Sequence, residues 1–191
     1  LLMKKHDLLY TEVTASNLVK VSMDEDLDEK SGVNRPGFTL HGGVLSARPD
    51  VNCAVHVHTN VGMAIAGLKS GLRMVSQQAI RFYKRIGYHG YEGITEDFDE
   101  RERLNRDLGQ NRAMIMHNHG LLTVGRSVEA SIGWFVMAER AAEVHVKAPN
   151  ARPISDEAAA AAASTLALDP VGWRMFQWLQ RSLVPDRSVV D

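Results

Sequence analysis

The chain has 191 residues, 45% of them hydrophobic and 24% charged, which is the composition of an ordinary globular protein long enough for one sizeable core. The formal net charge is −1 and no run of Lys and Arg clusters, so the basic footprint that nucleic acid or an anionic membrane surface requires is excluded. No apolar run approaches the roughly 20 residues of a membrane span.

The single cysteine, Cys53, lies in an apolar run and reads as a buried structural thiol in a reducing, cytoplasmic setting. The opening Leu1-Leu2-Met3 runs directly into strand-like sequence, and the expectation is one domain over residues 1–191 that lacks residues upstream. Residues 1–40 read as β structure with turns. Val13, Val19 and Val21 carry the β-branched signal, residues 24–29 form an acidic turn, and Gly32 with Pro36-Gly37 marks a second loop. Residues 38–47 are apolar at helical spacing and stop at Pro49.

Residues 51–58 predict a strand, with Val51, Cys53, Val55 and Val57 on one face and Asn52, Ala54, His56 and His58 on the other. A helix over 60–70 closes at Gly71, and a second runs from its cap Ser76 to Gly87. The aromatic, glycine-rich residues 88–93 read as a loop, and 97–108 as a charged surface helix ending at Gly109. Residues 113–119 predict another strand, broken by Gly120 and resumed over 121–124.

Ser127 caps a long helix to about Lys147, with Ile132, Phe135, Val136 and Ala142 inward. After a linker at 150–153, Ser155 caps an alanine-rich helix and Asp169-Pro170 opens the last one. Trp173, Phe176, Trp178 and Leu179 of that helix pack on a core or on another subunit. Alternating strands and helices predict a three-layer α/β/α domain with a mixed sheet.

The chemistry concentrates in histidines. His56 and His58 share one strand face, close enough for two imidazoles to hold one ion. Zinc, manganese, cobalt and iron(II) all accept neutral imidazole nitrogen. A lone pair of this kind equally reads as a polar sheet face that binds nothing. A second pair, His117 and His119, also at a strand end, shifts the reading to a metal site. Spacing leaves open which of these two is the third ligand. No Gly-x-Ser-x-Gly elbow and no phosphate-binding or dinucleotide glycine pattern occurs. Glu92, Tyr88, His89 and Tyr91 either line a pocket or form an exposed aromatic loop. His6, His89 and His145 read as structural or surface residues.

Several segments resemble the class II aldolase/adducin family: residues 14–21, Gly37-Phe38-Thr39-Leu40-His41, Ala47-Arg48-Pro49-Asp50, His56-Val57-His58-Thr59, and Asn118-His119-Gly120-Leu121-Leu122 followed by Val124-Gly125 and Ser127-Val128-Glu129. The resemblance covers about residues 8 to 147. It implies an α/β/α fold around a mixed, mostly antiparallel sheet, a homotetramer with sites between subunits, and a metal, usually zinc, held by three histidines. Those match His56, His58 and His119, which leaves His117 as a neighbour.

The resemblance also has gaps. The aldolases and epimerases carry a carboxylate four residues before the position of His41, where this chain has Gly37. A tyrosine that some aldolases contribute from a neighbouring subunit falls near Gln77, and their phosphate-binding loop would lie upstream of Leu1. These departures place the chain nearest the adducin-like branch, an aldolase-type head domain. Two functions follow. One is a metal-dependent lyase performing aldol cleavage, dehydration or decarboxylation on a small hydroxy-carbonyl compound, with Glu92, His117, Tyr91 or a metal-bound hydroxide as base. The other is a non-catalytic interaction module with a structural or vestigial metal.

Overall fold

The computed structural model describes residues 1–94 and 98–184. The chain divides into two compact units. One comprises Leu1–Pro49 with Glu92–Arg106, the other Asp50–Tyr91 with Asp107–Asp191.

In the first unit, strands β1 (Leu2–Met3) and β2 (Val19–Lys20) pair antiparallel. The rest of residues 1–34 is irregular, with three short 3-10 turns, so the β structure expected through residue 40 shrinks to this two-stranded ribbon. Helix α1 (Arg35–Ala47) starts where a loop was expected. Asn34 caps it by accepting from the Gly37 amide at 2.8 Å, and Pro36 sits in the first turn, where its missing N–H costs nothing. Pro–Gly thus marks a helix start here. Phe38, Leu27 and Val33 form a small core with Met3, Val19 and Val21. Arg101, on helix α4 (Phe98–Leu108), lies over the Phe38 ring at 4.9 Å.

The second unit is built on a four-stranded sheet of β3 (Cys53–Val57), β4 (Ile86–His89), β5 (Ala113–Met116) and β6 (Gly120–Gly125), in the order β3-β6-β5-β4. β3–β6 and β6–β5 are antiparallel and β5–β4 parallel, so the sheet is mixed and mostly antiparallel as expected. The expected helix over 76–87 is cut short. Ser76 does cap a helix, accepting from the Ala79 amide, but α3 (Gln77–Ile80) lasts one turn. Tyr88 and His89, read as loop, belong to β4. Likewise α2 (Asn60–Ala66) ends before Gly71, which takes a left-handed φ of 58° in the turn beyond.

Val55, Val57, Ala113, Ile115 and Leu121 lie on the sheet face that joins the main core with Trp134, Phe135, Ala138 and Ala142 of α5 (Val128–Lys147). Ser127 caps α5 by accepting from Ala130 at 3.2 Å. Thr123 and Ser131 exchange two side-chain to backbone hydrogen bonds, of 2.9 and 3.1 Å, and lock sheet to helix. On the opposite face Gly87 admits the end of α4, since a Cβ there would stand 2.2 Å from the Asp107 carbonyl oxygen.

Helices α6 (Asp156–Leu166) and α7 (Pro170–Leu183) complete the unit. Leu179 packs against the core, whereas Trp173 and Trp178 are half exposed. Among the described residues no helix is long and apolar enough to cross a membrane.

Candidate metal centre

Three imidazoles converge at the end of β3 and the start of β6. The ring centroids of His56, His58 and His119 are 4.8, 4.8 and 4.6 Å apart, with planes crossing at 65–77°. One nitrogen from each lies within 4.8 Å of the other two, so the three could hold a metal ion. His56 and His58 reach this point through the period of the strand. His119 reaches it through the β5–β6 hairpin, whose register pairs Met116 with Gly120.

That register corrects one expectation. His117 and His119 do not alternate along a strand, because β5 ends at Met116 and 117–119 form the hairpin turn. Asn118 adopts a left-handed φ of 55°, a conformation asparagine tolerates better than most residues, and the His119 amide donates back to Met116 at 3.0 Å. The turn separates the two histidines. His119 joins the cluster, while His117 stacks on Tyr88 with centroids 5.8 Å apart and has its Nδ1 3.3 Å from the Ala66 carbonyl oxygen.

The ring chemistry suits a cation. His56 Nδ1 donates to the Leu121 carbonyl at 3.0 Å, which leaves the Nε2 lone pair facing the cluster, 2.9 Å from His58 Nε2. Burial, then the neighbouring His58 and His89, hold His119 below the ordinary histidine range, so it presents a neutral ring at physiological pH. Gly120 completes the cradle. A Cβ there would meet the Val57 carbonyl at 3.0 Å, His58 Cδ2 at 3.3 Å and His56 Cε1 at 3.5 Å. A donor set of three imidazole nitrogens fits zinc or another divalent transition metal. His58 is the exposed member of the three.

Glu92 belongs to the first unit, where both its carboxylate oxygens accept from Arg103 Nε, at 3.0 and 2.8 Å. Tyr91 is 61% exposed. Gly37 lies in the first turn of α1. His89 and His145, expected to be structural or surface, are both buried, His89 with its Nδ1 2.8 Å from Asp107 and His145 accepting from the Arg73 amide at 3.3 Å. Burial raises the Cys53 thiol above its ordinary range, in keeping with a structural role. The roles of the Leu121 carbonyl and the Tyr88 ring were not legible from sequence, since both depend on pairing between distant strands.

A mixed α/β fold with three convergent imidazoles at one end of its sheet defines the class of this protein. Residues 1–146 match the family described as Class II Aldolase and Adducin N-terminal domain, and the chain belongs to that family. It is 41% identical to alpha-adducin of Rattus norvegicus over 145 residues, 73% of this chain and 20% of that protein. An aldolase II superfamily protein from Pseudomonas syringae shares the fold with a TM-score of 0.83 and 38% identity, over 95% of this chain and 78% of the other. L-fuculose 1-phosphate aldolase from Glaciozyma antarctica PI12 does so with a TM-score of 0.80 and 26% identity, over 95% and 74%. The chain spans about a fifth of the length of the adducins it matches.

Proposed function

We propose that His56, His58 and His119 bind one divalent metal ion, zinc by the chemistry of the donor set, and that the chain is a metal-dependent lyase acting on a small hydroxy-carbonyl compound. The convergence of three imidazoles, one of them exposed, carries this reading. A three-histidine set leaves a coordination position open. A cation held there supplies a Lewis acid that polarises a carbonyl, the common requirement of aldol cleavage, dehydration and decarboxylation.

The chain's own residues would do the rest. The Leu121 carbonyl fixes the tautomer of His56. His117, oriented by Tyr88 and Ala66, is the candidate to move a proton, ahead of Tyr91 and of Glu92 with its Arg103 partner. We further propose a homotetramer in the cytoplasm, on the strength of the family and of a single unpaired thiol.

A second reading has its own support. Gly37 stands where the aldolases carry a carboxylate, and the likeness to alpha-adducin favours an interaction module in which the metal stabilises the fold.

Elemental analysis of the purified protein beside a His56→Ala/His58→Ala variant tests the site. About one equivalent of transition metal per chain, lost in the variant, supports it. No metal in either sample after zinc is added back removes it. A screen of small hydroxy-carbonyl compounds then separates the readings. Turnover that depends on His119 supports the lyase, whereas subunit release and lower stability in His119→Ala with no turnover in any sample supports the module.

A further inference from the structure

We infer that Glu139 and Thr59 form a positioning pair that sets His58 for metal binding; this rests on the metal-site reading above. Two of the three imidazoles are tied by their surroundings. His56 donates to the Leu121 carbonyl, and His119 is half-buried in a hairpin turn closed by its own amide. His58 is exposed and lies just past the last residue of β3, and its ring meets His56 Nε2 at 2.9 Å. Where it stands depends on the backbone that leaves the strand.

Thr59 holds that backbone. Its hydroxyl oxygen accepts from the Gly62 amide at 2.9 Å, and its carbonyl accepts from Met63 at 2.8 Å, so it caps α2. The cap alone would leave the hydroxyl proton to water. Instead the hydroxyl donates to Glu139 Oε1 at 2.6 Å, a length typical of a hydrogen bond to an ionised carboxylate. Glu139 reaches it from α5, eighty residues away in sequence and half-buried.

The junction is tight. A Cβ at Gly62 would stand 2.8 Å from Thr59 Oγ1, 3.3 Å from Glu139 Oε1 and 3.3 Å from Leu121 Cγ. Leu121, whose carbonyl orients His56, thus also packs beside the pair that anchors His58. The longest helix is thereby coupled to the most exposed ligand through one hydroxyl.

Metal-free protein titrated with cobalt(II) in competition with a chromophoric chelator tests this, with the visible cobalt spectrum recorded at saturation and melting curves taken without metal. Loss of an outer partner of a metal ligand typically weakens affinity about 10–100-fold. Glu139→Leu leaves the cap of α2 intact and is expected to weaken cobalt binding by about tenfold and alter the spectrum. Thr59→Val should do at least as much, Thr59→Ser should restore affinity to within about threefold, and the double variant should be no worse than the stronger single change, because coupled residues are not additive.

Cobalt affinity of Glu139→Leu within about twofold of the wild type, with an unchanged spectrum, overturns the inference. If Glu139→Leu does not fold, Glu139→Ala, which also removes the acceptor of the Thr59 hydroxyl, decides in its place. A weakened affinity upholds the inference and an unchanged one overturns it. A wild-type chain that binds no cobalt removes the metal site itself and this inference with it, a result distinct from binding that is merely indifferent to Glu139.

Discussion

Gly120 packs closely against His58: a Cβ there would come within 3.3 Å of the imidazole Cδ2 and 3.0 Å of the Val57 carbonyl oxygen, tighter than ordinary contact. The glycine has an ordinary φ, so what matters is the space. Gly120→Ala should therefore leave the hairpin intact and displace the imidazoles. The expected result is metal affinity lowered by about tenfold with a stability cost of about 1–3 kcal/mol, the usual penalty of overpacking. Metal titration and urea melts of the same sample check both numbers. Full affinity in the alanine variant would show that the cluster has slack.

The stack of His117 on Tyr88 yields a second prediction. The Tyr88 hydroxyl accepts from the Leu72 amide at 3.1 Å, and burial raises its pKa above the ordinary tyrosine range. Tyr88→Phe keeps the stack and removes the acceptor, for an expected loss of about 1 kcal/mol. Tyr88→Leu also removes the ring contact and should cost about 1 kcal/mol more. Urea midpoints at constant slope measure the difference, and equal stabilities of wild type and Tyr88→Phe would mean that water replaces the hydroxyl.

How legible all this was in the sequence depends on range. The helix caps at Ser76, Ser127 and Ser155 were readable because a cap is a contact three residues long. The shared face of His56 and His58 was readable because a strand has period two. Choosing His119 over His117 was not, because a left-handed residue at Asn118 ends the alternation and only the pairing of Met116 with Gly120 reveals it. The family resemblance supplied what periodicity could not. Residues 86–89 were missed as a strand for a related reason. Their parallel partner β5 lies more than twenty residues on, and no local pattern announces it. At 1–34, β-branched residues suggested strands that mostly lack partners to pair with.

The approach of α5 and α7 rests on two glycines. A Cβ at Gly133 would fall 1.8 Å from the Gly172 carbonyl oxygen, which no rotamer change relieves. Gly133→Ala must push α7 outward, and with it Met175 from the core and Arg112 from Asp169, now 3.2 Å apart. A loss of about 3 kcal/mol or more is expected, at or above the top of the overpacking range. For a chain of this length that lowers Tm by roughly 6–12 °C. Hydrogen exchange should show α7 exposed first, and a variant melting with the wild type would refute the close contact.

The last prediction concerns pH. His145, in the last turn of α5, is buried and accepts from the Arg73 amide through Nδ1, a bond only the neutral ring can make. Burial first, then the Arg73 guanidinium, lower its pKa below the ordinary histidine value of about 6.5. In the unfolded chain the ring takes its proton near 6.5, whereas in the folded chain it resists until lower pH. Between those points the unfolded state binds more protons, so stability rises with pH there. The contribution is complete above the unfolded pKa and fades as pH falls from about 6.5 toward the folded value. Urea midpoints at pH 7.5 and pH 5.5 should differ more for the wild type than for His145→Gln, which keeps an acceptor for Arg73 and has no proton to gain. The comparison uses metal-free protein for both chains and reads only the difference between them. Parallel pH profiles for the two would show that His145 charges as easily in the fold as in water, and that its burial is not what the structure describes.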